Sequence, residues 1–203
     1  MTTVFDFADG PLVLRARPAL DLSDAQFFEF CRQNRGLRIE QTREGDWIIM
    51  PPTGGETGSR NNEVSRQLGN WAVTDGSGVA FDSSTGYVLP NGARRSPDAS
   101  WVLRSRLAAL TADQKRRFLP LCPDFAVELR SPSDALADAE EKMREYRDNG
   151  ARLGWLLDAA ERRVQVYRPG QDTVTLDAPA AMAGDPELPG FVLDLATVWE
   201  PGF

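Results

Sequence analysis

Apolar and polar positions alternate along the chain with two periods, one typical of helices and one typical of strands. Apolar residues at helical spacing, together with cap and turn residues, predict four helices. These helices span residues 23–34, 57–75, 111–119 and 134–149, and Gly150 ends the last of them. Alternating or continuous apolar runs predict strands. The predicted strands span residues 37–41, 46–50, 79–81, 86–89, 96–103, 124–130, 153–158, 164–168, 173–176 and 191–193.

Turn and cap residues support this division of the chain. Ser23 and Gln26 have capping-box spacing, in which each side chain bonds the backbone N–H of the other residue. The Pro-, Ala- and Gly-rich stretch 178–190 predicts an irregular loop. The order of the elements predicts one α/β domain over residues 1–203. We expect a mixed central sheet flanked by helices, with additional strands at both ends of the chain.

The composition is that of an ordinary globular protein. The chain has 203 residues, of which 41% are hydrophobic and 26% are charged. This length is enough for one domain with a substantial core or for two small domains. No apolar stretch approaches the roughly 20 residues that span a bilayer, and the N-terminus lacks the pattern of a secretory signal. The two cysteines, Cys31 and Cys122, are not in CxxC spacing. We therefore expect a cytoplasmic protein with reduced thiols and no membrane partner.

Histidine is absent from the chain. Its absence excludes Ser-His-Asp and Cys-His catalysis, as well as histidine acting as a general base or a metal ligand. With only two cysteines, a tetrahedral zinc site is also disfavoured. The remaining chemistry uses carboxylates, lysine, tyrosine, serine and hard metal ions bound through oxygen.

The overall charge is acidic, but the basic residues are clustered. A net charge of -7 and a pI of about 4.8 disfavour nonspecific nucleic-acid binding by the surface as a whole. The basic clusters are Arg94-Arg95, Arg104 with Arg106, and Lys115-Arg116-Arg117. They lie around the predicted 96–103 strand and the helix after it. Solvated faces and a local phosphate-facing patch both fit this pattern.

Two acidic residues stand where charge is unusual. Asp98 follows Pro97 at the start of a predicted strand, and Glu128 lies inside the apolar run 124–130. A buried carboxylate is unfavourable unless it is paired, hydrogen-bonded or bound to a metal. If the two strands are neighbours, both carboxylates can bind one divalent ion, and such a site suits Mg²⁺. Lys142, on the following helix, would then stabilise charge on a phosphoryl oxygen.

Each of these residues also has a purely structural interpretation. Asp98 fits a strand-entry position, and Glu128 fits a strand acid paired with Arg130 or with an arginine of a neighbouring strand. Lys142 lies four residues after Asp138, the favourable orientation for an ion pair within a helix. The sequence alone leaves these alternatives open.

Several short motifs, taken in order, resemble one known family. The motifs are Arg38-Ile39-Glu40, Trp47-Ile48-Ile49-Met50-Pro51-Pro52, Pro97-Asp98, Glu128-Leu129-Arg130-Ser131-Pro132-Ser133-Asp134, Lys142 with Tyr146, Asn149-Gly150-Ala151-Arg152-Leu153, Trp155-Leu156-Leu157-Asp158 and Val164-Gln165-Val166-Tyr167-Arg168-Pro169-Gly170. Their order and spacing resemble the Uma-two-type endonuclease family of the PD-(D/E)XK restriction-endonuclease-like superfamily. The resemblance covers residues 23–195.

The resemblance implies a restriction-endonuclease-like core of order αβββαβ and hydrolysis of DNA phosphodiester bonds that depends on Mg²⁺ or Mn²⁺. It makes Asp98 and Glu128 the metal ligands. The superfamily places a lysine two residues after the second acid, where this chain has Arg130. Because an arginine stays protonated, the resemblance assigns the catalytic cation to Lys142, with Glu40 as a further acidic catalytic residue. By analogy with nucleases that cut both strands, we expect a homodimer.

We expect Arg94, Arg95 and Arg130 to bind nucleic acid, with DNA as the partner, and Tyr146 to be a core residue. Two other functions fit the same sequence. A catalytically silent scaffold of this fold would bind nucleic acid or a protein partner. A metal-dependent hydrolase of a small phosphoester would tolerate an acidic surface better. A basic groove beside Asp98 would favour nucleic acid.

Overall fold

A computed structural model of the protein describes residues 11–132 and 134–203. The N-terminal segment 1–10, considered above for a secretory signal, and Ser133 of the quoted motif lie outside the described residues. The strands are β1 (Leu12–Leu14), β2 (Arg38–Gln41), β3 (Trp47–Met50), β4 (Gly78–Asp82), β5 (Tyr87–Val88), β6 (Arg94–Arg95), β7 (Ala99–Leu103), β8 (Phe125–Arg130), β9 (Leu153–Asp158), β10 (Arg163–Tyr167), β11 (Val174–Asp177), β12 (Ala181–Ala183) and β13 (Val192–Asp194). The helices are α1 (Asp24–Gln33), α2 (Gly55–Asp75), α3 (Arg104–Ala108), α4 (Leu136–Asp148) and α5 (Ala196–Trp199).

Local sequence signals determine where α1 begins and where α4 ends. The Ser23 hydroxyl accepts a hydrogen bond from the Gln26 N–H, and the Gln26 side chain accepts one from the Ser23 N–H. The predicted capping box is therefore confirmed. After α4, Gly150 has a φ of 108°, a conformation that glycine adopts without steric penalty. The helix begins at Leu136, two residues later than predicted.

A six-stranded mixed sheet forms the centre of the fold, with the order β11-β10-β9-β8-β7-β4. Strands β8 and β9 run parallel, and the other neighbouring strands run antiparallel. A parallel pair needs a crossover connection, and α4 supplies it. In chain order, α2, β4, β7, β8, α4 and β9 form the αβββαβ core expected from the sequence.

Strand β8 divides the interior into two cores. Phe125, Val127 and Leu129 point into a core that α2 and α5 cover. Ala126 points into a second core, on the side of α4. Because successive side chains alternate across a strand, Glu128 lies on the α4 side. The predicted alternation along this strand is confirmed.

A second sheet, of order β1-β3-β2-β6-β5, carries the predicted hairpin as β2 and β3. Its apolar face packs on α1, where Phe27 and Trp47 meet edge to face with ring centroids 5.7 Å apart. Ile39 of β2 belongs to this core. The next residue, Glu40, therefore points to the opposite face, and this places its carboxylate towards α4.

One strand prediction and one loop prediction are wrong in detail. The predicted strand 96–103 begins only at Ala99, and Asp98 lies directly before it. Pro97 has no N–H to donate to a sheet ladder, which separates β6 from β7. The stretch 178–190, predicted as a loop, contains β12, which pairs with β13. Pairing with a strand further along the chain outweighs the weak local strand propensity.

The remaining differences concern short elements. The helix predicted over 111–119 is a 3₁₀ turn at Gln114–Arg116. The short elements β1, β6, α3 and α5 were not predicted. The strands predicted at 173–176 and 191–193 form as β11 and β13, in two different sheets. Within the described part of the chain, no helix combines the length and the apolar character needed to cross a membrane.

Candidate active site

Neighbouring strands bring Asp98 and Glu128 together. Strands β7 and β8 pair with Ala99 opposite Val127, so the residue before β7 lies beside the end of β8. Oδ2 of Asp98 accepts a hydrogen bond of 2.9 Å from the Leu129 N–H. Both acids are 8% exposed. The structure thus places the two predicted carboxylates side by side, at the start of β7 and near the end of β8.

Lys142 of α4 lies between two acids. Its Nζ is 2.8 Å from Oε1 of Glu40 and 2.8 Å from Oε1 of Glu128. Arg130 instead bonds Asp158 at 2.6 Å and the backbone oxygen of Asp134. Of the two candidate cations, Lys142 is therefore the one that contacts Glu128.

Glu40 has both carboxylate oxygens engaged. Oε1 accepts hydrogen bonds from the Ser96 N–H at 3.0 Å and from Lys142. Oε2 is 3.3 Å from Nη1 of Arg95, whose Nε bonds Glu145 at 2.5 Å. Glu40, predicted as a further acidic residue, is therefore present at the site. It pairs there with two buried cations, Lys142 and Arg95.

Tyr146 contributes a polar contact that the sequence did not predict. It is fully buried, as expected of a core residue, but its hydroxyl donates a hydrogen bond of 2.9 Å to Oε1 of Glu128. Its position one helical turn after Lys142 was the available signal, because residues four apart lie on the same helix face. Among the described residues, no hydrogen bond reaches Oε2 of Glu128, so this oxygen is available to a ligand.

Two further residues contact Oδ1 of Asp98. Nη2 of Arg38 lies 3.4 Å away, and Nδ2 of Asn61 donates a hydrogen bond of 3.2 Å. Arg38 belonged to a quoted motif without a role. Asn61 carried no sequence signal, since it lies in α2, far from Asp98 along the chain. Only the packing of α2 against β7 reveals this contact.

The acids of the site differ in their pKa values. Burial raises the pKa of Glu128 to about 7; Lys142 opposes this shift, whereas Asp98 and Glu40 add to it. Burial would also raise the pKa of Glu40, but Lys142, Arg95 and Arg38 together lower it to about 2. The pKa of Lys142 is raised, because Glu128 and Glu40 outweigh the effect of burial. Of Glu40, Glu128 and Lys142, Glu128 is therefore the group whose pKa lies nearest to neutral pH.

The donor chemistry fits a hard divalent ion. Asp98 and Glu128 supply carboxylate oxygens, which Mg²⁺ and Mn²⁺ prefer. In the described residues, no group of three or more acidic, cysteine or histidine side chains is placed to hold a metal. A site with two carboxylates suits Mg²⁺, which keeps several waters.

The basic groove beside Asp98 that would favour nucleic acid does not form from these clusters. Arg94 is 5% exposed; it bonds Asp24 at 2.6 Å and also Gln41 and a backbone oxygen. Its burial argues against the predicted contact between Arg94 and nucleic acid. Arg106 pairs with Asp124, beyond the far end of β7. The basic clusters are divided because Arg94, Arg95 and Arg106 each pair with an acid from another element. Arg104 instead donates to backbone oxygens.

A cleft of about 1230 Å³ opens over the two carboxylates. Arg38, Glu40 and Lys142 line it, as do the start of α2 and the exposed side of α4. Arg95 and Arg130 also line it, but both are paired with acids. Acidic side chains outnumber basic ones along the lining that the structure describes.

A family model described as "Uma2: Putative restriction endonuclease" matches residues 24–196, which is most of the chain. The chain belongs to the Uma2 family. The expected Uma-two-type resemblance over 23–195 is therefore confirmed, with nearly the same bounds. No curated protein matches this Uma2 chain.

A solved structure supports the fold of this Uma2 protein. It is described as "a putative nuclease belonging to DUF820 from Anabaena variabilis ATCC 29413". It has a TM-score of 0.70 and 19% sequence identity, over 88% of this chain and 98% of that one. At this identity the similarity concerns the fold, and it confirms the expected α/β class.

Proposed function

We propose that this Uma2 protein is a nuclease that depends on Mg²⁺ or Mn²⁺ and hydrolyses phosphodiester bonds in DNA. The observation that carries the proposal is the contact of Lys142 with Glu128, at 2.8 Å, beside Asp98. Two acids at the ends of neighbouring strands and one lysine of the following helix are the residues that the family resemblance implies. Membership of a family of endonucleases supports the same conclusion.

Each residue has a role that follows from its contacts. Asp98 and Glu128 would hold the divalent ion, which would lower the pKa of a bound water and neutralise charge on a phosphoryl oxygen. Glu40 keeps Lys142 in place through a bond of 2.8 Å. Because its pKa is raised, Lys142 is protonated at neutral pH and stabilises negative charge rather than acting as a base.

Hydrolysis of a small phosphoester is the second candidate function. The excess of acidic side chains along the cleft favours it, because a long polyanion such as DNA meets more repulsion than a small substrate. Along the described lining, Arg95 and Arg130 are both paired with acids, so their charge is already partly neutralised before a DNA backbone binds. A homodimer with a continuous DNA-binding surface would compensate for this charge.

The test measures metal binding and hydrolysis on the same samples. Mn²⁺ is titrated calorimetrically into the wild type, Glu128→Gln and the control Glu161→Gln, which changes an exposed acid outside the cleft lining. Each sample is then incubated with plasmid, with single-stranded DNA and with a small aryl phosphodiester. We expect the wild type and the control to bind Mn²⁺ and to cleave DNA, and Glu128→Gln to do neither.

Three other outcomes would change the proposal. Mn²⁺ binding with hydrolysis of the small ester alone would favour the second candidate. Mn²⁺ binding without hydrolysis of any substrate would favour a silent scaffold. No Mn²⁺ binding by the wild type would contradict the proposed metal site.

A further inference from the structure

The Asn61 side chain is oriented by Asp98. Its Nδ2 donates a hydrogen bond of 3.2 Å to Oδ1 of Asp98. An ionised carboxylate only accepts hydrogen bonds, so the amide nitrogen must face it. The amide oxygen is therefore directed away from Oδ1 of Asp98, while the residue as a whole lines the cleft.

Among the described residues, no group donates a hydrogen bond to this amide oxygen. Oδ1 of Asn61 is buried and, within the described residues, receives no hydrogen bond. A buried amide oxygen without a donor is unfavourable, and such a group in a native protein usually indicates an absent water or ion. Its place beside Asp98 in the cleft makes a cation of the site the natural partner.

The neighbouring acids leave a place for such a donor. Both oxygens of Glu40 are engaged by Lys142, Arg95 and the Ser96 N–H. No third acid is placed to complete a metal cluster in the parts of the chain that the structure describes. An ion held by two carboxylates takes its other ligands from neutral oxygens, and an asparagine oxygen is a common choice.

We propose that Oδ1 of Asn61 is a third protein oxygen donor to the divalent ion held by Asp98 and Glu128. The inference rests on the proposed metal site and adds to it a ligand from α2. The ion then joins α2 to the start of β7 and the end of β8. Nε of Arg38 is also buried and has no acceptor among the described residues, so a water that joins Arg38 to Asn61 is the competing explanation.

The test compares Asn61→Ala, Asn61→Asp and the control Asn62→Ala, which changes an exposed residue of the same helix. Mn²⁺ affinity is measured by calorimetry, and thermal unfolding is recorded with and without Mn²⁺. We expect Asn61→Ala to weaken Mn²⁺ binding by about 10- to 100-fold and to reduce the thermal stabilisation by Mn²⁺. Asn61→Asp retains an oxygen donor and should bind at least as tightly as the wild type.

A structure of the wild type with Mn²⁺ gives a readout independent of affinity. We expect Oδ1 of Asn61 within about 2.5 Å of the ion. A water between Asn61 and Arg38, with the ion elsewhere, would overturn the inference. Equal weakening by Asn61→Ala and Asn61→Asp would also overturn it, because the lost contribution would then be the hydrogen bond to Asp98.

The two proposals can fail separately. If Glu128→Gln loses Mn²⁺ binding while Asn61→Ala binds like the wild type, the role of Asn61 is wrong and the metal site stands. If the wild type itself does not bind Mn²⁺, both proposals are wrong. Unfolding curves without metal show whether each variant is folded, so a loss of binding is not mistaken for a loss of structure.

Discussion

The two faces of β8 exclude water to a similar degree and are stabilised in different ways. On the side of α2, Phe125 is fully buried and meets Trp155 edge to face, with ring centroids 4.9 Å apart. On the side of α4, Glu128 is 8% exposed and contacts Lys142 and Tyr146. The first face gains free energy by removing apolar surface from water. The second loses hydration of its charges and depends on their pairing.

This contrast separates the part of the molecule that stabilises the fold from the part suited to chemistry. An apolar core needs only volume and shape, and similar hydrophobic residues replace one another in it. The α4 face instead holds acids with opposite pKa shifts, near 7 for Glu128 and near 2 for Glu40. Clusters of perturbed pKa values are typical of functional sites. Three changes test the contrast.

The largest expected effect on stability comes from the apolar face. Phe125→Ala removes a fully buried ring that also packs against Phe191. The resulting cavity should lower the free energy of unfolding by about 3–5 kcal/mol, as measured by urea denaturation. Phe203→Ala, at a position 81% exposed, should change it little. If the two faces are independent, the folded fraction of Phe125→Ala binds Mn²⁺ like the wild type.

Removing the cation of the α4 face should have a smaller effect. Lys142→Met leaves Glu40 and Glu128 without their shared cation, which should lower the free energy of unfolding by about 3 kcal/mol. The double variant Lys142→Met/Glu128→Gln should recover much of this loss, because a neutral amide needs no cation. Urea denaturation at pH 8 measures both, with Lys115→Met as an exposed control. An equal loss in the double variant would contradict electrostatic pairing as the cause.

The smallest effect is a shift in pH dependence. Because the pKa of Glu128 is about 7, a proton competes with Mn²⁺ below that pH. Mn²⁺ affinity should therefore rise between pH 6 and 7 and level off above it. Tyr146→Phe removes a donor to the ionised form, so the midpoint should move to higher pH, by less than about one unit.

Calorimetric titrations at several pH values measure this shift. Tyr167→Phe is the matched control, since its hydroxyl bonds Gln165 and not Glu128. Without metal, the stability of the fold depends on pH in the opposite direction from the Mn²⁺ affinity. The folded-state pKa of Glu128 lies above its ordinary 4.5, so its contribution to stability is present below pH 4.5 and is lost as the pH rises to about 7. A midpoint that Tyr146→Phe leaves unchanged would contradict the role of this hydrogen bond.

Signals that act within a few residues were sufficient for much of the fold. The Ser23 capping box, the hairpin of β2 and β3, and the glycine after α4 all follow from hydrogen bonds and backbone conformations of adjacent residues. The alternation along β8 also placed Glu128 on one face, and its apolar surroundings marked it as unusual. Elements without a strong local pattern, β12 and α3, were missed because pairing and packing with distant residues stabilise them.

The sequence by itself predicted a single α/β domain and indicated Asp98 and Glu128 as candidate metal ligands and Lys142 as a candidate cation; the family resemblance of its motifs implied the αβββαβ order. Tertiary structure alone decided that Lys142 bonds Glu40, which lies 102 positions away, rather than Asp138. It also buried Arg94, paired Arg130 with Asp158, and placed Asn61 against Asp98. The physical reason is that the role of a charge depends on its burial and its partner, and both come from elements that are far apart along the chain.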